Sequence, residues 1–265
     1  MAKLTSVIGF TGSLGNLSFY TRYGSDKIYV RKKGGPSKRT IKTKSTCAVV
    51  RKNNMEFGGR STCVKYLNKV LFPLKPLANI NIASELGSLL TATQEMDKVN
   101  PKGKRSVLLS QLPQSIEDFE FNNKNGLSSI IRSPLVHNLT RENLTPTVSI
   151  PDLLPDINFF VADKYPLFSL VGVLGAVPDM KCKGENYVPM VDTSQFRYFN
   201  KVETPWLPSI DGAVATTLDF SLKKLPPGNN WSLVLAIGIR FATIGTGGTP
   251  KQIKRAGAAK IIGIK

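Results

Sequence analysis

Residues 167–177, Leu-Phe-Ser-Leu-Val-Gly-Val-Leu-Gly-Ala-Val, form an apolar run bounded by Pro166 and Pro178. The run is one of eight short apolar or alternating stretches that follow residue 105, separated by Pro, Gly, Asn and Asp. The other seven are Val107–Leu109, Leu135–Leu139, Thr147–Ile150, Asn158–Val161, Gln195–Phe199, Val214–Leu222 and Ser232–Thr243. Runs of strand length without helical stretches between them predict an antiparallel β-sandwich or barrel.

The stretch 214–222 shows the strand pattern most directly, because apolar and polar residues alternate along it. The residues expected on one face are Val214, Thr216, Leu218, Phe220 and Leu222. The last segment, 251–262, suits either a helix or a final strand, and its Ala-Gly-Ala-Ala at 256–259 leaves both open.

Apolar spacing predicts three helices over residues 45–98. The Gly58-Gly59 pair is expected to separate the first helix from the second, and Pro73 to end the second. The third is expected over 77–99.

The N-terminal part is expected to begin with strands. Residues 6–10 and 16–20 flank a small Gly-containing segment, 11–15, that suits a hairpin turn. Residues 27–31 alternate as a half-buried strand does, and Gly34-Gly35-Pro36 then stops regular structure and starts a basic arm.

These elements predict an α+β protein. A β-hairpin and basic arm are expected over 1–44, a helical segment over 45–104, and an antiparallel β-sandwich domain with a basic C-terminal tail over 105–265.

Positive charge is concentrated at the two ends of the chain. The 265 residues carry 36 Lys and Arg against 18 Asp and Glu, a formal net charge of +18. Residues 1–76 hold 16 bases and two acids, a net +14, and residues 245–265 hold five bases and no acid. Such a field attracts polyanions: nucleic acid, an acidic membrane surface or an acidic protein.

Aromatic and basic side chains interleave in the first third. In a strand, Lys27, Tyr29 and Arg31 share one face. Aromatic rings together with positive charges are the combination by which proteins hold single nucleic-acid strands. The alternative is that Phe19, Tyr20 and Tyr29 pack across strands while the lysines are solvated. The candidate nucleic-acid-binding residues are Arg22, Lys27, Tyr29, Arg31, Lys32, Lys33, Lys38, Arg39, Lys42, Lys44, Arg51 and Lys52.

The sequence offers little for catalysis. His137 is the only histidine, no Gly-x-Ser-x-Gly string occurs, and the acidic cluster 117–120 is typical of a solvated turn or an intramolecular partner for the basic arm. The Gly-rich segment 245–251 lacks the P-loop pattern and is expected to connect two elements. We therefore expect no enzyme activity, cofactor or metal; the remaining enzymatic hypothesis is a hydrolase or nuclease using 117–120.

The cysteines and apolar runs bear on the compartment. Cys47, Cys63 and Cys182 form neither a disulfide framework nor a zinc pattern, which favours a reducing environment. The N-terminus lacks a signal-peptide run, and no apolar stretch approaches the roughly 20 residues of a membrane helix. We expect a cytoplasmic protein with no membrane contact.

Three segments taken in order, GNLSFY at 15–20, VRKKGGPS at 30–37 and NNMEFGG at 53–59, resemble an uncharacterised family of basic bacterial proteins. Residues 157–160 and 256–260 are similar to its C-terminal part. The resemblance implies a bacterial or bacteriophage origin and carries no known activity or catalytic residues.

Together these patterns predict a non-enzymatic protein that binds a polyanion, most readily DNA or RNA, through its N-terminal third. The alternative is a structural subunit of a bacterial or bacteriophage assembly, a virion or filament, whose basic ends dock onto neighbouring copies.

Overall fold

The computed structural model describes residues 2–3, 10–22, 25–161, 165–193 and 199–265. Two units, residues 1–53 and 54–265, separate along the chain. The sequence divides into three segments, 1–44, 45–104 and 105–265, by their expected local structure. Their assignment as three domains stays a prediction.

The first unit contains a four-stranded antiparallel sheet of order β1-β4-β3-β2. Its strands are β1 (Ala2–Lys3), β2 (Gly12–Leu14), β3 (Leu17–Thr21) and β4 (Ile28–Lys32). Helix α1 (Lys38–Thr43) and a 3₁₀ turn (Ser45–Cys47) follow, and then helix α2 (Ala48–Val70), which continues past residue 53.

The N-terminal hairpin is confirmed, but its turn is shorter than predicted. Residues 12–14 pair with β3 as a strand, so the chain reverses only at Gly15 and Asn16. Of the predicted strand 6–10, residues 6–9 lie outside the described residues. The predicted basic arm contains α1, capped by Ser37, whose hydroxyl accepts from the Thr40 amide at 3.1 Å.

The predicted break in the helical segment is wrong, because α2 runs through Gly58-Gly59 without interruption. A Cβ at Gly59 would lie 2.5 Å from the Tyr187 ring, so the glycine permits a close approach rather than ending the helix. After α2 come a 3₁₀ turn (Phe72–Leu77) that contains the prolines and helix α3 (Ile82–Glu95), shorter than expected.

The remaining elements belong to the second unit, mostly as antiparallel strands. They are α4 (Leu127–Ile130), β5 (Val136–His137), β6 (Thr147–Ile150), β7 (Leu167–Pro178), β8 (Met180–Lys183), β9 (Asn186–Pro189), β10 (Phe199–Glu203), β11 (Leu207–Pro208), β12 (Thr216–Asp219), β13 (Trp231–Ile244) and β14 (Pro250–Ile264). The main sheet has the order β10-β7-β13-β14, with β11 also paired to β7. A three-stranded sheet, β12-β6-β5, and the hairpin β8-β9 complete the unit.

The two central strands of the main sheet, β7 and β13, are buried on both faces, which explains why they read as continuous apolar runs. Along β13, Val234 and Ala236 join a core that includes Leu67 and Leu71 of the helical segment. Leu235 and Ile237, which alternate with these residues along the strand, join a second core shared with the three-stranded sheet. The predicted α+β class, with a helical segment and a C-terminal antiparallel sheet of many strands, is confirmed, whereas the packing of helices on one face of the main sheet was not part of the prediction.

Two further predictions are decided by the second unit. The C-terminal basic segment is strand β14, and the Gly-rich segment before it is the hairpin connection from β13. The predicted strand over 158–161 is reduced to isolated bridges at Phe159, and residues 195–198 of another lie outside the described part of the chain.

Candidate nucleic-acid interface

All twelve candidate residues lie in the first unit, on five successive pieces of structure. Arg22 follows β3, Lys27 precedes β4, and Tyr29, Arg31 and Lys32 are in β4. The others follow in chain order: Lys33, then Lys38, Arg39 and Lys42 in α1, Lys44 at its C-terminal cap, and Arg51 and Lys52 in α2. Ten of the twelve are exposed cations, while Tyr29 and Arg51 are half-buried.

The unit offers almost no negative charge to balance these cations. Residues 1–53 contain twelve Lys and Arg and one acid, Asp26, a net charge of +11. One carboxylate cannot pair with twelve cations, so most of this charge has no acidic partner within the unit.

Helix α1 carries its share of that charge against its own stability. It has no acidic residue in its first turn, where the helix dipole favours one. Lys38 and Lys42 are four residues apart and Arg39 and Lys42 three apart, so like charges neighbour each other on the helix surface, at a cost of about 0.2–0.5 kcal/mol a pair. An external anion would relieve this repulsion.

Arg51 differs from the exposed candidates because its half-buried guanidinium donates two hydrogen bonds to backbone carbonyls. Its Nη1 donates to the Ile41 carbonyl at 2.7 Å and to the Lys44 carbonyl at 2.8 Å. These are carbonyls at the end of α1, where backbone acceptors lack helical partners. Arg51 therefore holds α1 and the following turn, and it supports the basic surface rather than forming it.

The two faces of the N-terminal sheet differ sharply. On one face Phe19 is opposite Val30, is 8% exposed, and contacts Phe10 with ring centroids 4.4 Å apart. The packing alternative is thus correct for Phe19.

The other face carries a row of four planar groups, which we call the Arg–Tyr array: Arg22, Tyr29, Tyr20 and Arg31. Tyr20 is directly opposite Tyr29 across β3 and β4, with ring centroids 6.0 Å apart. The Arg22 guanidinium carbon lies 4.5 Å from the Tyr29 ring centroid, and that of Arg31 lies 5.4 Å from the Tyr20 centroid. Both distances are within the range of cation–π attraction.

Sequence reasoning did not include Tyr20 among the candidates. The expected partner of residues 16–20 was 6–10, whereas β3 pairs with β2 on one side and β4 on the other. Once β3 and β4 are aligned in register, period-two alternation places Tyr20, Tyr29 and Arg31 on one face. The alternating pattern on both strands was the signal that could have found it.

In the acidic cluster of the second unit, residues 117 and 118 lie in a turn and Glu120 forms an isolated bridge with Lys260. Asp118 has a positive φ of 63° and pairs with Lys260 Nζ at 2.8 Å. Glu120 accepts from the Leu127 amide at 3.0 Å, and burial raises the pKa of its carboxyl. His137 Nε2 lies 2.9 Å from the Ile262 carbonyl oxygen. These groups are engaged in holding the fold.

A cavity of about 360 Å³ beside this cluster is lined by Asp118, Arg132, His137 and Lys260 among others. The cations there are accompanied by the Asp118 carboxylate and by the Phe160 ring, which lies 3.6 Å from the Arg132 guanidinium carbon. Within the described ranges, no group of three or more His, Cys, Asp or Glu is placed to hold a metal ion. Among the helices described, none is long and apolar enough to cross a membrane.

The chain matches no family model, and no curated protein or solved structure is significantly similar to it. The resemblance to basic bacterial proteins stays a prediction, and the function is argued from the geometry alone.

Proposed function

We propose that this protein binds nucleic acid through the basic surface of its first unit and has no enzymatic role. The observation that carries the proposal is the set of ten exposed cations within 53 residues that contain a single acid. Phosphates are the most abundant counter-charge for such a surface, and each neutralised phosphate releases condensed counterions.

The arrangement of the cations also favours an extended polyanion. They are spread over the sheet, the loop after β4 and helix α1 rather than gathered around one cavity. Lys33 Nζ donates to the Gly15 carbonyl at 2.9 Å, which ties the loop after β4 to the hairpin. A chain of phosphates contacts such a surface at several points.

A salt series tests this proposal. Affinity for DNA and RNA should fall steeply as salt rises. A plot of the logarithm of the binding constant against the logarithm of the salt concentration should have a slope of about −0.7 to −0.9 for each phosphate contacted. The triple variant K32Q/K38Q/K42Q, which changes three exposed lysines, should reduce the slope by about 2. Absence of binding at low salt, or a flat salt response, would overturn the proposal.

The matched control removes the same charge from the second unit. K223Q/K251Q/K254Q also changes three exposed lysines to glutamine. It should leave the salt slope close to that of the unchanged protein, because these residues lie outside the proposed surface. An equal loss in both triple variants would show that total charge, rather than this surface, determines binding.

The alternative is a structural subunit of a bacterial or bacteriophage assembly. It is favoured by large apolar side chains exposed on the two loops joined by the Leu153–Ala213 bridge. These side chains are Leu154, Ile157, Ile210 and Val214. Sedimentation velocity over a range of concentrations tests it: a monomer at all concentrations argues against assembly, and large particles that dissociate in the variant I210S/V214S support it.

The proposed compartment is the cytoplasm or, for the alternative, an assembled particle. The support is chemical: the three cysteines are all unpaired thiols, and Cys47 and Cys63 are buried. Thiols persist in reducing surroundings.

A further inference from the structure

The Arg–Tyr array has a feature that phosphate binding alone does not use. Its members are flat, they follow one another across two paired strands, and exposed guanidinium groups are at both ends of the row. The exposed Arg31 guanidinium lies over the Tyr20 ring, and a guanidinium plane is a natural stacking surface for another plane. The N–H donors of a guanidinium lie in its plane, so a phosphate oxygen can accept from them while a base stacks on the face.

Unpaired nucleobases are planes of this kind. In a duplex both faces of each base are covered by its neighbours, whereas in a single strand the bases can leave the stack and rest on aromatic or guanidinium planes. We infer that the first unit binds single-stranded nucleic acid in preference to duplex, with unpaired bases stacked on the Arg–Tyr array and the phosphates on the surrounding lysines. This inference rests on the proposed nucleic-acid binding and names the form that is bound.

Charge alone predicts the opposite preference. A duplex has a higher density of phosphates than a single strand, so a purely electrostatic surface should bind the duplex at least as tightly. A preference for the single strand therefore requires an attraction to the bases, and the array is a group of planar side chains within the described part of the basic surface.

The first experiment uses the unaltered protein and three ligands of equal length: oligodeoxythymidylate, a strand of abasic sites, and a duplex. Thymidylate should bind at least about fivefold tighter than the abasic strand, since stacking one base contributes roughly that factor or more. It should also bind tighter than the duplex. Equal affinity for the thymidylate and abasic strands would overturn the inference.

The second experiment separates rings from charge. Y20V/Y29V keeps strand-forming residues at both positions but removes both rings and leaves the two guanidinium groups without the planes on which they rest, so the ratio of thymidylate affinity to abasic-strand affinity should fall toward one with the salt slope retained. Y20F/Y29F keeps the planes and should keep the preference. K32Q/K38Q/K42Q should weaken binding to all three ligands and keep the ratio between them.

The outcomes distinguish failure of the inference from failure of the proposed function. Steep, salt-dependent binding with no difference between thymidylate, abasic strand and duplex overturns stacking and leaves nucleic-acid binding in place. Absence of binding to every ligand at low salt overturns both. If Y20V/Y29V loses the native circular-dichroism spectrum, the comparison of abasic and thymidylate strands on unaltered protein still decides the inference.

Discussion

The two units use positive charge in different ways. In the second unit, some cations are paired with acids of the same unit: Arg105 with Glu56 at 2.7 Å, Arg240 with Glu203 at 3.2 Å, and Lys260 with Asp118 at 2.8 Å. That unit has 24 bases and 17 acids, whereas the first has twelve and one. Whether a cation can be paired within its own unit therefore depends less on the net charge of the protein than on the number of acids that the same unit supplies.

The contrast extends to cations that lie over aromatic rings. Arg240 lies 4.7 Å from the Trp206 ring centroid, but it also bonds Glu203 and the Ser169 hydroxyl and is only 17% exposed. Arg31 lies over Tyr20 and is exposed. The same arginine–aromatic contact therefore belongs to a network that holds the sheet at Arg240 of the second unit, whereas at Arg31 of the first unit the arginine stays exposed on the surface.

The largest effect that the comparison predicts is loss of a buried charge pair. Glu56 is buried and accepts from Gly103 N, Arg105 Nε and Arg105 Nη2 at 2.7–2.8 Å, and the Arg105 bonds hold the pKa of its carboxyl low. E56A leaves the guanidinium without its partner, so the free energy of unfolding should fall by about 3 kcal/mol. Urea unfolding measures it.

The control for E56A is E203Q, which changes a carboxylate that is 42% exposed. Water can replace its bonds, so the loss should stay below about 1 kcal/mol. Equal losses in the two variants would contradict the claim that burial determines the worth of these pairs.

Asp97 gives the next largest effect and a pH signature. Burial raises the pKa of its carboxyl, but hydrogen bonds from Asn100, Ser106 and Val99 outweigh burial and lower it to about 2. Because the folded pKa is depressed, its stabilisation is present above the unfolded pKa near 4 and is lost as pH falls from about 4 to 2. D97N should lower the free energy of unfolding at pH 7 by about 2 kcal/mol.

Unfolding curves at pH 7 and across pH 4 to 2 check the assignment. The unaltered protein should lose its advantage over D97N within that window. A difference that stays constant down to pH 2 would show that the carboxylate charge is not the stabilising element.

Packing in the second unit should make G172A costly as well, by about 1–2 kcal/mol. Gly172 is in β7, where a Cβ would lie 2.4 Å from the Phe220 ring between the two sheets. G58A is the control, since no atom lies within 4 Å of a Cβ there and alanine favours the helix. Thermal melts should therefore move downward for G172A and stay level or rise for G58A.

The sequence carried more information about the second unit than about the first. A strand buried on both faces needs apolar residues along its whole length, so it is visible in the sequence as a continuous apolar run such as 167–177. Strands β7 and β13 accordingly lie where predicted. The pairing of β3 with β4 depends on register between separated strands, which composition does not specify. The charged surface was predictable from the sequence. Placing Tyr20 in the array required the register between β3 and β4, and the role of Arg51 required the positions of the carbonyls to which it donates.

The smallest expected effect completes the comparison. K32Q/K38Q/K42Q should change the free energy of unfolding by no more than about 0.5 kcal/mol for each residue. The sign should be stabilising at Lys38, because its removal takes a cation from the first turn of α1 and relieves its repulsion with Lys42 four residues on. At Lys42, in the last turn, the lost attraction to the helix dipole offsets the relieved repulsion. Thermal unfolding at low salt, where screening is weakest, measures this most directly.

The same variant should bind nucleic acid more weakly while its stability stays level or rises, and that opposition separates a surface kept for a partner from one that supports the fold. Added salt should stabilise the unaltered protein more than the variant, since salt screens repulsion that the variant lacks. A clear loss of stability in K32Q/K38Q/K42Q would mean that these lysines have partners within the protein. The difference between the two units would then be one of degree, with both using their cations to hold structure.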